Sequence, residues 1–151
     1  IRYRLVGSEM CIRDRVWALA DTFGAPLQRA QIIKGWLEDG KHKEKVFDVA
    51  CSDGLIVDQE THRCPENKAW VDLSDCSISA DSGDKEMKVL WQDPEFKGNQ
   101  DAFYYARIIE NPVCRWSTWD SIRAGEKPRS DIPVTIQERA WSSPIWLKKI
   151  N

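Results

Sequence analysis

The sequence predicts a mainly β domain: an antiparallel, sandwich-like arrangement of about seven short strands with one short capped helix near residues 117–124. Three observations carry this reading. Apolar and polar residues alternate with a period of two in several runs of six to eight residues. Asp-, Ser- and Gly-rich stretches punctuate those runs as turns and loops do. A helix start signal and a helix stop signal occur together at one place, around CRWSTWD (114–120).

The elements follow in order from Val16. QIIKGWL (31–37) is rich in β-forming residues, Asp39-Gly40 supplies a turn, and KVFDVAC (45–51) alternates Val46, Asp48 and Ala50 against Phe47, Val49 and Cys51. Two such runs around a glycine-containing turn predict a hairpin. Segments 52–70 and 76–85 read as loops. EMKVLWQ (86–92) places Met87, Val89 and Trp91 on one face of a half-buried strand. AFYYARII (102–109) is aromatic and β-branched throughout, as a strand covered on both faces would be. VTIQERA (134–140) alternates again, and IWLKKI (145–150) forms the last strand. No internal repeat or low-complexity tract is present.

The helix is predicted from its ends. Ser117 followed three residues later by Asp120 has the spacing of a capping box, in which each side chain accepts from the other residue's amide. Gly125 supplies a left-handed stop, and Pro128 prevents resumption. Two turns do not hold alone in water, so the helix needs tertiary packing, and Trp119 with Ile122 is the face expected to provide it.

The 151 residues suffice for one domain with a real core. With 22 basic and 24 acidic residues the formal net charge is −2, and there is no basic stripe, so nothing recruits nucleic acid. No apolar run reaches the ~18 residues that span a bilayer. Eight Trp are many for this length; core and edge packing is the ordinary use, and a carbohydrate-facing surface the functional one. The opening IRYRLVGSEMCIRDR lacks both periods and lacks the apolar run of a signal peptide. It resembles the peptide produced when a sequencing-adapter read is translated into a metagenomic reading frame. Residues 1–15 are therefore set aside as a non-native or disordered segment, leaving 16–151 as a β-rich domain whose upstream part is missing.

Setting aside Cys11, four cysteines remain: Cys51, Cys64, Cys76 and Cys114. An even number in a loop-rich β domain points to two disulfides and an oxidising compartment. Three connectivities exist; Cys51–Cys64 with Cys76–Cys114 is favoured, since it closes one local excursion and ties one loop to the sheet. Zinc is the weaker alternative, because no C-x-x-C knuckle accompanies His62; free buried thiols are the third. CSDGLIVDQETHRC (51–64) resembles the cysteine-bounded hairpin of peritrophin-type chitin-binding modules, over fourteen residues only and without the rest of that cysteine framework.

Catalytic constellations are scarce. His42 and His62 are the only histidines and both lie in charged surroundings, so no hydrolytic triad can be assembled with conviction. DPEFKGNQD (93–101) imitates part of a calcium loop but has Lys97 at a ligand position and Tyr104 at the twelfth. In ERAWSSPIW (138–146), Glu138 and Arg139 point to opposite faces of a strand, so one of them faces the interior or a neighbouring domain, with Arg107 as an available ion-pair position. Arg115 and Trp116 have no structural task in the helix reading. Arg115, Glu138 and Arg139 are thus the weak catalytic candidates.

QRAQIIKGW (28–36), AFYYARIIENPVCRWSTWD (102–120) and TIQERAWSSPIW (135–146) together resemble the C-terminal part of a bacterial family of unknown function, DUF3604. The resemblance runs from about Val16 to the end. It implies a relative of the PHP (polymerase and histidinol phosphatase) metal-dependent phosphoesterases, exported to the periplasm or secreted. In that family the metal signatures, an early His-x-His and later His and Asp ligands, lie upstream of this region. No His-x-His occurs here, so no metal ligand carries over. The resemblance therefore implies an accessory or scaffold part that is catalytically incomplete by itself and has no cofactor of its own. A divalent metal is expected in the missing upstream N-terminal catalytic domain, which would also be its partner. The alternative is a carbohydrate- or protein-binding module that uses exposed Trp70, Trp116 or Trp146.

Overall fold

The computed structural model describes residues 13–149. Seven strands and one helix follow in the order β1 (Arg13–Leu19), β2 (Leu27–Glu38), β3 (Lys41–Cys51), β4 (Glu86–Gln92), β5 (Ala102–Cys114), α1 (Trp116–Ala124), β6 (Thr135–Trp141) and β7 (Ile145–Leu147). Every strand pair is antiparallel. β1 and β4 form a two-stranded sheet; the larger sheet has the order β3-β2-β5-β6, with β7 also pairing β5. This is the mainly β, two-sheet architecture that the alternation and turn spacing predict.

The core lies between the two sheets. Val16 and Met87 from the small sheet meet Leu27, Ala30, Ile32, Phe47, Val49, Ala102 and Tyr104 from the large one. Each strand contributes alternate residues, as the pleat requires. Trp36 and Trp91 pack against this cluster partly buried. The β2–β3 hairpin turns through Asp39 (φ 51°) and Gly40 (φ 72°), the two positive φ values of a type I′ turn, whose twist suits the flanking strands. Across β2 and β5, Gly35 opposes Phe103, and a Cβ at Gly35 would sit 2.2 Å from the Phe103 ring; the missing side chain is what lets the ring lie over the strand.

β6 and β7 share one edge of β5. β6 pairs with residues 107–114 and β7 with 102–104. Between them Ser142 closes the gap, its amide donating to the Ala106 carbonyl at 3.0 Å and its Oγ accepting the Ala106 amide at 2.9 Å. Pro144 has no amide to continue the ladder, so the strand restarts at Ile145.

Two sequence expectations are corrected here. β1 begins at Arg13, inside the segment set aside as 1–15, and Asp14 and Arg15 pair with Trp91 and Leu90 of β4. A seven-residue strand that covers one side of the core was missed because its alternation is broken by charges at its start. Residues 1–12, Cys11 included, lie outside the described residues. The helix cap is the second correction. α1 starts at Trp116 with Arg115 as its N-cap, extended at φ −64° and ψ 148°, and no side chain caps it. Ser117 and Asp120 lie inside the helix and form no capping box. β5 runs on to Cys114, and the Arg115 amide still pairs with the Val134 carbonyl at 2.9 Å, so the chain leaves the sheet directly into the first turn and shifts the helix start ahead of Ser117. The buried anchor is Thr118, whose Oγ1 donates to the Val134 carbonyl at 2.8 Å, while Trp119 is exposed and stacks under Arg123. The left-handed stop at Gly125 (φ 69°) is present, its amide donating to the Ile122 carbonyl.

Candidate functional site

The disulfides pair as favoured, Cys51 with Cys64 and Cys76 with Cys114. Their positions shape a site with converging polar groups. The segment between Cys64 and Cys76 is anchored at both ends: by the first bridge to the end of β3, and by the second to the end of β5, one residue before Arg115. That anchored segment supplies Glu66, Asn67 and Ala69 to a cleft of about 390 Å³. Gln28 and Arg29 of β2, Pro112 of β5, Arg115 at the head of α1 and Thr135, Gln137 and Arg139 of β6 line the rest.

A carboxamide framework holds the floor. Gln28 Oε1 accepts from Arg29 Nε (3.0 Å) and Nη2 (2.8 Å) and from Gln137 Nε2 (2.8 Å). Gln28 Nε2 donates to Asn67 Oδ1 at 3.0 Å, and Asn67 Nδ2 donates to Asn111 Oδ1 at 2.8 Å and to Ser52 Oγ at 3.1 Å. The buried Asn111 in turn donates to the Ser82 carbonyl at 2.9 Å. Asp48 extends the framework on the β3 side: it accepts from Gln31 (2.6 Å) and from the Cys64 amide (2.7 Å), with Arg29 at 3.4 Å and Arg63 at 3.6 Å.

Of the weak catalytic candidates, Arg115 and Arg139 meet in this cleft. Arg115 donates from Nε to the Pro133 carbonyl at 3.1 Å. Glu138, the neighbour of Arg139 on the opposite face of β6, does not line it. Glu138 and Arg139 are both exposed, so the expectation that one of them faces the interior is corrected: β6 is an edge strand with solvent on both sides here. Arg107 forms no ion pair with either; its Nε donates to Gln31 Oε1 at 2.7 Å. Glu138 is felt instead at Glu110, whose carboxyl is raised above the ordinary range by burial first and by the charges of Glu138 and Asp21 after it.

A second polar cluster lies in the core. Lys34 Nζ donates to Asp93 Oδ2 at 2.6 Å and to the Glu95 carbonyl at 2.9 Å, and Tyr104 donates its hydroxyl to the same Asp93 oxygen at 2.7 Å. All three side chains are buried. Burial, and then the bond to Asp93, raise the Tyr104 hydroxyl well above its ordinary value. Asp14 lies near enough that burial first and the Asp93 charge second push its carboxyl up. The Lys34–Asp93 ion pair joins the start of the DPEFKGNQD segment to β2.

Sequence reasoning missed Arg29, Gln28, Asn67, Gln137 and Lys34. A signal existed for Lys34: in QIIKGWL the period of two puts it on the face of Ile32 and Trp36, where a charge must find a partner. Six of the eight Trp are exposed, Trp116 at 74%, Trp146 at 70% and Trp70 at 53% among them, so core packing is not their main use. Among the described residues no three His, Cys, Asp or Glu side chains gather as metal ligands would, and no helix is long and apolar enough to cross a membrane.

No curated protein and no solved structure matches the chain. The profile of a family described as a protein of unknown function, DUF3604, matches residues 12–149. That match covers nearly the whole sequence, and the chain belongs to the DUF3604 family.

Proposed function

We propose that this domain is the accessory part of a hydrolase-like protein of the PHP kind, acting as scaffold and as one wall of a cleft and catalytically incomplete by itself. The observation that carries the reading is the lining of the cleft. Three arginines and three carboxamides line it and can bind and orient a ligand, while Glu66 and Thr135 are the lone carboxylate and hydroxyl of the lining and no His, Cys, Lys or Tyr joins them. The described residues do not fit the metal cluster that the resemblance attaches to an upstream domain. Two disulfides suit a periplasmic or secreted setting.

The test is direct. The purified 151-residue chain, incubated with manganese or zinc, is assayed on a chromogenic phosphomonoester. The expected result is no turnover above the metal-only control; turnover that a chelator abolishes overturns the reading. A second reading, a binding module, is favoured by the exposure of Trp70, Trp116 and Trp146. Quenching of Trp fluorescence by soluble oligosaccharides that disappears in Trp116→Ala or Trp146→Ala would favour it over the first.

A further inference from the structure

We propose that the cleft between β2, β6 and the head of α1 is a binding site for an oxyanion, with Arg115 and Arg139 as its primary contacts and Arg29 as support. This deepens the reading above by naming what the accessory wall holds, and it rests on that reading only for the site's place in a larger protein.

Charge is the first argument. The chain as a whole carries −2, yet three guanidinium groups and one carboxylate, Glu66, line this cleft. Among the described residues neither Arg115 nor Arg139 has a carboxylate within ion-pair distance, and Glu66 neutralises neither. Arg29 differs, since Asp48 stands 3.4 Å away and Gln28 takes two of its donors. The spare cationic charge therefore belongs to Arg115 and Arg139.

Geometry is the second. The carboxamides are already engaged with one another and with the backbone: Gln28 Oε1 accepts three donors, Asn67 donates to two acceptors, and Gln137 Nε2 donates to Gln28 and to the Glu110 carbonyl at 2.9 Å. They form a rigid floor and leave recognition to the guanidinium forks. Such forks match the paired oxygens of phosphate, sulfate or carboxylate. The backbone at both arginines is also held in place. Arg115 follows a disulfide-bonded Cys114 and is held by its own bonds to Pro133 and Val134, and Arg139 lies on a paired strand opposite Ile109. A volume of about 390 Å³ exceeds a bare ion and lies in the range of small-molecule sites, so the anion is expected to be carried on a larger polar molecule.

The experiment is calorimetric titration of the full chain with sodium phosphate, sulfate, acetate and glucose 6-phosphate, all at one ionic strength set with chloride. Saturable binding of phosphate or sulfate is expected, with glucose 6-phosphate tighter than phosphate if the anion is esterified and equal to it if the free ion is the ligand. Arg139→Gln and Arg115→Gln should each raise the phosphate Kd about tenfold, the loss of one charge-assisted contact. Arg129→Gln, in an exposed loop paired with Asp131, should leave it unchanged. Arg139 is exposed and unpaired, so its variant folds even if Arg115→Gln disturbs the helix start. Absence of saturable binding to all four probes, or unchanged affinity in Arg139→Gln, overturns the proposal. These outcomes are separate from turnover: a chain that neither binds nor turns over loses only this inference, and one that turns over loses the accessory reading.

Discussion

Breaking the Cys76–Cys114 bridge should cost more than breaking Cys51–Cys64, and the difference follows from the loops they close. The sequence separations are 38 and 13. In the chain-entropy account the bridge removes 2.1 + 1.5R ln n cal/mol/K from the unfolded chain, which at 298 K gives ~3.9 kcal/mol for the longer loop and ~2.9 kcal/mol for the shorter. Cys76→Ala with Cys114→Ala also leaves two buried positions one sulfur smaller, which adds to the loss. The assay is urea unfolding followed by circular dichroism, with each double variant compared with the parent at pH 7. A drop of about 4 kcal/mol is expected for the Cys76/Cys114 pair and about 3 kcal/mol for the Cys51/Cys64 pair. A loss under about 1 kcal/mol for the longer loop would refute the reasoning, because the segment from Cys64 to Cys76 would then be held by its other contacts and the bridge would add nothing.

Two further perturbations test the buried polar cluster. Lys34→Met should destabilise by about 3–5 kcal/mol in the same urea assay, because it removes the cationic partner of the buried Asp93 and leaves Tyr104 and the Glu95 amide as its remaining donors; a loss within 1 kcal/mol would mean that Asp93 is reached by water. Asp14→Asn tests the raised carboxyl of β1. In the folded chain Asp14 keeps its proton to higher pH than in the unfolded chain, so the native state binds more protons between the unfolded and folded values and stability falls as pH rises through that window. The variant lacks this penalty: it should melt higher than the parent at pH 7, with the gap closing below about pH 4, and an equal gap at pH 3 and pH 7 would exclude the mechanism.

The strands were legible because each carries its own alternation. Met87, Val89 and Trp91 announce β4 without reference to any partner, and Asp39-Gly40 announces the hairpin turn. Two boundaries were not legible, for different reasons. β1 opens with Arg13, Asp14 and Arg15, and only the pairing with Gln92, Trp91 and Leu90 of β4 shows that these residues belong to a strand rather than to a disordered arm. Ser117 and Asp120 have the right spacing for a capping box, but helix starts are set by where the preceding element releases the chain. Here β5 holds it to Cys114, and the Arg115 amide remains on Val134. The cleft was half legible. Arg115 and Arg139 stood out as residues without a structural task, 24 positions apart, and the pairing of β5 with β6 is what brings them together. Arg29, Gln28 and Asn67 come from β2 and from a loop, and no local pattern ties those segments to β6.

The disulfides connect the fold to the site more closely than either does alone. Glu66, Asn67 and Ala69 sit on the segment whose two ends are the bridged Cys64 and Cys76, and Asn67 joins the carboxamide floor to Asn111 and Ser52. The same two bridges fix Arg115 through Cys114 and hold Cys64 where its amide reaches Asp48, the carboxylate beside Arg29. Reduction would therefore loosen the wall and the arginines together. A cleft whose recognition groups are edge-strand and helix-head arginines has little apolar burial to hold its shape, so covalent closure of the facing loop supplies the rigidity that an anion site needs. The two bridges close the segment that carries Glu66 and Asn67 and end one residue before Arg115, so they bound the cleft that Arg29, Arg115 and Arg139 line.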